Sequence, residues 1–502
     1  MSRRDETITA AQLDEYDIAV IGGGINGACL FDLLCRRGYR TVLLEKGDFA
    51  GGTSQASAMM IWGGLLYLRN LDIPSVISFS RSRDQMIRNM TEWIAPRRFR
   101  FLPAEKGLLS RGPILSAMYL YWLLGGCNRK RPALELRFPE QEQLIQQCPS
   151  LLFEEGMLRC SDSRFVLHWL TRKRAPQQTA LNYCAFTGGE YQKKELLWHL
   201  EARDGISGRE LGIRSRVVIN CGGVWTDRIN NSMNIESPYR HVFSKGVFIG
   251  FQRPADQSTP LIFAQQEVSD VILSIPWGPV ALWGPTEETV QEIEPGFTVS
   301  VGDIHFLLEQ YRHHMKTVPG RDTIVSLRCG IRPLAVKREY AKERYPLDLS
   351  RGFRVSTDTD RPWISVYGGK ITGCGRAAEV VADRVAVLVA PPHDPPGPVT
   401  KPGEPEQPPP TTSFPGLTEP VPALKWCMQH EHCHTLGDYL RRRTNIAQWV
   451  PREGLGRQDE NREHLRALCL TLAGGDAEAA ERELEVYSKQ VRTRFDRVLE
   501  QL

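Results

Sequence analysis

The chain has 502 residues, 41% hydrophobic and 24% charged, enough for about two to four domains with real cores, which excludes a disordered or collagen-like protein. Its 63 basic and 59 acidic residues leave a formal net charge of +4, too balanced for nucleic acid to be the main partner. The uncharged run 112–128 has an apolar centre of about eleven residues, short of the ~20 a spanning helix needs, so no transmembrane helix is expected.

The first residues, MSRRDETITAAQLDEYD, are mostly polar and lack the hydrophobic core and small-residue cleavage site of a secretory signal. The next segment, Asp17-Ile-Ala-Val-Ile, reads as a buried strand running into Gly22-Gly-Gly24-Ile-Asn-Gly27. A helix-compatible stretch follows, then the strand TVLLE ending at Glu45. This order and spacing predict a dinucleotide fold. Gly22 makes the tight turn, Gly24 lets the backbone approach a pyrophosphate at a helix N-terminus, Gly27 permits close helix-to-strand packing, and Glu45 accepts hydrogen bonds from an adenosine ribose. The fingerprint alone does not separate NAD from FAD, because both present the same ADP moiety to the turn.

Further along, GGTSQAS (51–57) follows soon after Glu45. The run ILSAMYLYWLL, with Tyr119, Tyr121 and Trp122, precedes Arg129, Lys130 and Arg131. That pairing suits either a lipid interface or a buried helix with a basic exit. The β-branched runs RVVINCG and WISVYGG are each followed by glycine, as in buried strands feeding tight turns of an α/β sheet. INCGGVWTD (219–227) and YGGKIT (367–372) place such glycines where a cofactor can approach closely. A proline-rich stretch (391–417) cannot sustain helix or ladder pairing and reads as a stiff linker. It divides a unit 1–390 from a helical domain 418–502, in which REHLRALCLTL and AERELEVYSKQV space apolar residues three and four apart. CMQHEHCH gathers Cys427, His430, His432, Cys433 and His434, but the spacing is no familiar zinc pattern, so no metal site is predicted. The twelve cysteines are scattered without a CxxC pair, as for free thiols in a reducing, intracellular compartment.

Taken in order, DIAVIGGGINGA, GTSQAS with GGLLYL, CGGVWTD, SIPWG with LWGPTE, CGIRPL, YGGKIT and LGDYLRRRTNIAQW resemble the FAD-dependent glycerol-3-phosphate dehydrogenases of respiratory chains, within the D-amino-acid-oxidase-like flavoproteins. The resemblance spans nearly the whole chain. It implies FAD as cofactor, with Gly22, Gly24, Gly27, Glu45, Thr53, Ser54, Ser57, Gly222, Gly369 and Thr372 around it. It also implies that Arg332 and Lys370 face the substrate side of the flavin, with Tyr67 adding a hydrogen bond near the reacting carbon. A small anionic substrate, a quinone acceptor, the membrane surface and a homodimer are the partners it suggests, with the protein cytoplasmic or peripheral on the inner face of the cell membrane.

The departures all remove polarity. Where the resembled family reads S-x-K-L-x-H-G-G-x-R-Y-L, this chain has Met59, Trp62 and Leu66 for the lysine, histidine and arginine. K-G-x-H becomes Lys245-Gly-Val-Phe248, and T-T-Y-R becomes Thr372-Gly373-Cys374-Gly375 with Arg376 one place late. A phosphate monoester needs several convergent donors, so the substrate site reads as altered. The expected fold is α/β plus α: a discontinuous FAD-binding Rossmann-like domain with an inserted sheet-rich substrate domain, then a helical C-terminal domain. The expected activity is hydride removal from carbon to flavin N5. The alternatives are an oxidoreductase of amines or amino or hydroxy acids on the same fold, and a flavin-binding paralogue without turnover.

Overall fold

The computed structural model describes residues 3–171, 178–265, 270–293, 297–339, 349–390 and 409–502. The apolar run after Asp14 forms the strand Glu15–Ile21 at the centre of a first sheet. Thr41–Leu44 and Glu210–Asn220 pair with it in parallel, and Thr179–Leu181 and Trp363–Gly368 extend the parallel set outward. Parallel strands covered on both faces read as continuous apolar runs; Thr41–Leu44 and Trp363–Gly368 are buried at every position. Glu210–Asn220 shows both regimes. Its first half alternates exposed and buried where it pairs with the hairpin strand Leu197–Asp204, and its last four residues are all buried.

Between visits to this sheet the chain builds a second one of ten strands. It leaves after Thr41–Leu44 to lay down Met60–Ile61, Ile94–Leu102 and Ser150–Leu158, and leaves again after Glu210–Asn220 for the strands from Tyr239–Gln252 to Ile324–Lys337. Tyr239–Gln252 and Ile324–Lys337 form a long antiparallel pair, with a register shift at Gly250 and Phe251. The Rossmann-like domain is therefore discontinuous and carries an inserted sheet-rich domain.

The C-terminal region is helical, with Leu424–His430, Arg462–Leu472 and Ala477–Val491 as its longest segments. It does not close a core of its own. Leu436, Tyr439, Leu440, Leu465 and Leu484 share one apolar cluster with Val247, Ile249, Phe251, Ile272 and Leu327 of the second sheet. Residues 391–408 of the expected linker lie outside the described residues. Just beyond them Thr411–Thr412 pairs with Val421–Pro422.

The aromatic face expected to meet lipid is partly turned inward. Tyr121 is 4% exposed, and its hydroxyl accepts from Arg83 Nη1 at 2.7 Å and donates to Glu155. Trp122 Nε1 donates to the Arg129 carbonyl, and Arg129 pairs with the buried Asp84. A buried phenol needs a partner, and here a buried ion pair supplies one. The helix Arg111–Leu124 instead exposes Leu120 and Leu123, with Lys130 and Arg131 exposed just after it.

The histidines of the Cys/His run 427–434 lie against aromatic and basic side chains. Among the described residues no group of three or more metal-ligating side chains is placed to hold an ion. His432 meets the Phe49 ring edge-on at 5.6 Å, His434 lies 3.2 Å from Arg4, and His430 stacks on Trp426. Burial, with Arg443 and Arg4 nearby, pushes His432 and His434 each down to about 4 from 6.5. A base depressed in the fold binds fewer protons folded than unfolded. Its contribution to stability is intact above pH 6.5 and is lost as pH falls toward 4. Thermal melting followed across that window should show stability falling with acid, and His432→Gln with His434→Gln should flatten the slope. An unchanged slope in the double variant would remove these two histidines as the cause.

Candidate cofactor and substrate site

A cavity of about 1200 Å³ opens where Ile21, Leu44 and Cys221, at the carboxyl ends of the central strands, meet the second sheet, the usual ligand position in open α/β sheets. Gly22 has φ +107°, and a Cβ there would lie 2.4 Å from the Cys221 carbonyl oxygen. A Cβ on Gly27 would lie 1.9 Å from the Gly22 carbonyl oxygen, so helix and strand touch through main chain alone. Gly24 stands at the N-cap of the helix Ile25–Arg36, and Ser54 Oγ accepts from the Ile25 N–H at 2.9 Å. The Glu45 carboxylate accepts from the N–H groups of Gly23 at 2.7 Å and Gly47 at 2.9 Å.

The other cofactor-side residues come from the loop after Glu45 and from two later segments. Thr53 Oγ1 donates to the Ile331 carbonyl at 2.5 Å, and Ser57 Oγ accepts from the Met59 N–H at 3.0 Å. Gly222 donates its N–H to Asn220. Gly369, at φ +90°, lies against Asn26, which donates to the Gly368 carbonyl. Gly22, Gly24, Glu45, Thr53, Ser54, Ser57, Gly222 and Gly369 all line the cavity. Gly27 is packed beneath Gly22, and Thr372 is 2% exposed inside the turn Ile371–Gly373, so neither is among the lining residues. These features fit FAD: a wall stripped of side chains at Gly22, Gly24, Gly51 and Gly52, an acid at Glu45, and one continuous cavity from there to Lys370 and Arg332.

Lys370 Nζ donates to the Trp62 carbonyl at 3.0 Å and to Tyr67 Oη at 3.1 Å, and sits 3.8 Å from the Phe79 ring centroid. Burial pushes its pKa down, with Tyr67 opposing. Arg332 Nη1 donates to Glu287 at 2.9 Å and to Ser244 at 3.2 Å, and Arg351 reaches the same Glu287 at 3.2 Å. One buried carboxylate thus sits between two guanidinium groups, which hold it below the usual range against the effect of burial. Asp270 also lines this end, and burial raises its pKa. Sequence reading missed Arg351, Asp270 and the acid partner of Arg332. Glu287 stood at the end of the LWGPTE motif, whereas Arg351 and Asp270 lie in no motif.

Of the departures, Trp62, Leu66 and Phe248 line the cavity together with Tyr67 and Lys370. Met59 does not: it is fully buried, and its neighbour Met60 takes the wall. Lys245 points away and pairs with Glu288 and Asp303, while Arg376 pairs with Glu379 on an exposed helix face. No histidine is among the described lining residues.

A discontinuous Rossmann-like domain, an inserted sheet and a cavity with this glycine wall define an FAD-dependent oxidoreductase. Residues 17–351 match the model of the DAO family of FAD-dependent oxidoreductases, and the chain belongs to that family. It is 27% identical over 381 residues, 74% of each chain, to the aerobic glycerol-3-phosphate dehydrogenase of Escherichia coli. It is also 27% identical over 392 residues to the glycerol-3-phosphate dehydrogenase of Pseudomonas tolaasii, covering 76% of this chain and 73% of that one. In fold it is similar to the glycerol-3-phosphate dehydrogenase from Bacillus halodurans complexed with FAD, with a TM-score of 0.71, 17% identity and coverage of 98% and 97%. Glycine oxidase from Geobacillus kaustophilus shares the fold over 74% of this chain and 95% of its own, at 17% identity and a TM-score of 0.52.

Proposed function

We propose that this protein is a dehydrogenase of the glycerol-3-phosphate dehydrogenase type whose substrate site has turned toward a smaller or more apolar anion, oxidised at a C–H bond beside oxygen or nitrogen. When bound, FAD supplies the hydride acceptor. Arg332 and Arg351 hold the anionic group of the substrate, with Glu287 cancelling one of their two charges. Lys370 and Tyr67 orient the oxygen or nitrogen next to the reacting carbon, and Lys370, its pKa lowered by burial, takes up the proton released there. The observation that carries this reading is the apolar wall of Trp62, Leu66 and Phe248 beside Lys370.

Anaerobic flavin reduction by a panel of hydroxy acids, amino acids, amines and glycerol 3-phosphate tests it. Reduction by a hydroxy or amino acid is the expected result, and a flavin that no member of the panel reduces would favour the paralogue without turnover.

Electrons then pass to a quinone at a membrane surface, in this reading. No described helix is long and apolar enough to cross a membrane, and the exposed Leu108, Leu120 and Leu123 with Lys130 and Arg131 suit interfacial contact. The protein should sediment with anionic vesicles at low salt and be released as salt screens the attraction. Leu120→Asp with Leu123→Asp should leave it in the supernatant. Equal sedimentation of the double variant would move the contact elsewhere.

A further inference from the structure

The loop 45–57 carries Glu45, Thr53 and Ser54, and most of its ties run to neighbouring parts of the two sheets: Glu45 to Gly23, Ala50 N–H to the Gly23 carbonyl, Ser54 to Ile25, Thr53 to Ile331. Asp48 breaks this pattern. Its side chain is 1% exposed and accepts from Arg443 Nη1 at 2.5 Å and Nη2 at 2.8 Å, from Arg442 Nε, and from Asn182. Arg442 also reaches Gln55 Oε1 at 3.3 Å and Asp438 at 2.6 Å. Both arginines belong to the C-terminal region, far along the chain from Asp48.

The local backbone explains how adjacent arginines share one acid. Tyr439–Arg443 winds as a π-turn, closed by the Thr444 N–H on the Tyr439 carbonyl at 2.9 Å; such wide turns re-aim successive side chains and recur at functional sites. Arg441 points away to Glu453, while Arg442 and Arg443 converge on Asp48. Next to Asp48, Phe49 presses on Gly23 so closely that a Cβ there would lie 2.7 Å from Phe49 Cδ1, and His432 meets the Phe49 ring edge-on. Arg442 and Arg494 both line the same cavity as Gly22, Thr53 and Ser54. The two arginines hold the Asp48 carboxyl well below the usual range, although burial alone would raise it.

We infer that the C-terminal region is a working part of the FAD site: Arg442, bridging Asp48 and Gln55, is a positioning residue that latches the loop 45–57 in the shape that receives the cofactor. Without it Asp48 keeps Arg443 and Asn182 but loses one of its two arginines, and Gln55 loses its tie to the C-terminal region, so FAD binds to a site whose outer turn must first be ordered.

The test compares two ion pairs that join the C-terminal region to the rest of the chain. Arg164–Glu431 is also a pair of low exposure, at 2.5 Å, and its guanidinium and carboxylate meet each other rather than Asp48 or Gln55. Apoprotein of the full chain is titrated with FAD, and its thermal melting is recorded alongside. Arg442→Met should weaken FAD binding about tenfold or more, Arg442→Lys should fall between it and the unmodified protein, and Glu431→Gln should lower the melting temperature without changing FAD affinity. A merely structural role would make affinity follow stability in all three. The inference is overturned if Arg442→Met binds FAD within about twofold of the unmodified protein, or if Glu431→Gln weakens binding as much. Should Arg442→Met fail to fold, the contrast between Arg442→Lys and Glu431→Gln decides by the same criterion.

Discussion

Gly24→Val should give a folded protein that leaves purification without FAD. Gly24 has φ −79°, a conformation open to any residue, and a Cβ there meets only Ser54 Oγ, at 3.1 Å. The fold can absorb that approach by a small shift of one hydroxyl. The cost to stability should be that of a poor N-cap residue, about 1 kcal/mol. Binding is another matter, because the branched side chain stands where the pyrophosphate must approach the helix N-terminus. Gly27→Val provides the contrast: its Cβ would overlap the Gly22 carbonyl oxygen at 1.9 Å, so the strand-to-helix packing itself must open, at about 3 kcal/mol or more. Flavin absorbance per mole of protein, read with a thermal melt, separates the two effects. Full flavin occupancy in Gly24→Val would overturn the placement of the cofactor.

Glycerol 3-phosphate should reduce the flavin slowly or not at all. Trp62, Leu66 and Phe248 line the cavity where the resembled family carries two histidines and an arginine, and Glu287 already cancels one of the two charges of Arg332 and Arg351. Each charge-assisted hydrogen bond that a dianionic phosphate fails to make forfeits roughly 1.5 to 3 kcal/mol, so the absence of two gives about a 100-fold or greater drop in affinity. The wall is open to repair. Lys370 is held by the main-chain carbonyl of Trp62, so Trp62→His leaves that bond in place. Combined with Leu66→Arg it should recover part of the glycerol 3-phosphate activity. Stopped-flow flavin reduction is the measurement; rapid, saturable reduction of the unmodified protein by micromolar glycerol 3-phosphate would show that the polar residues were dispensable.

The sequence alone determined the dinucleotide turn, because Gly22 and Gly27 answer steric demands that act within a few residues: a left-handed φ at one, a carbonyl in place of a Cβ at the other. It likewise determined the parallel strands, whose unbroken apolar runs leave no face for water, and the apolar character of the wall at Trp62, Leu66 and Phe248. Three things were decided only by the tertiary structure. Tyr121 looked amphipathic in a local window, and turned inward because Arg83 and Glu155, from two other elements, offered its hydroxyl a buried partner. Arg332 read as a residue facing the substrate side of the flavin, and the tertiary structure gave it the partner Glu287, which Arg351 from a third segment shares. The helical region after the prolines read as a domain of its own, yet its apolar face is completed by the second sheet and its Arg442 and Arg443 by Asp48. In each case the deciding partner lies far away in the chain, and a buried charge or phenol takes its role from whichever partner the fold brings within hydrogen-bond reach.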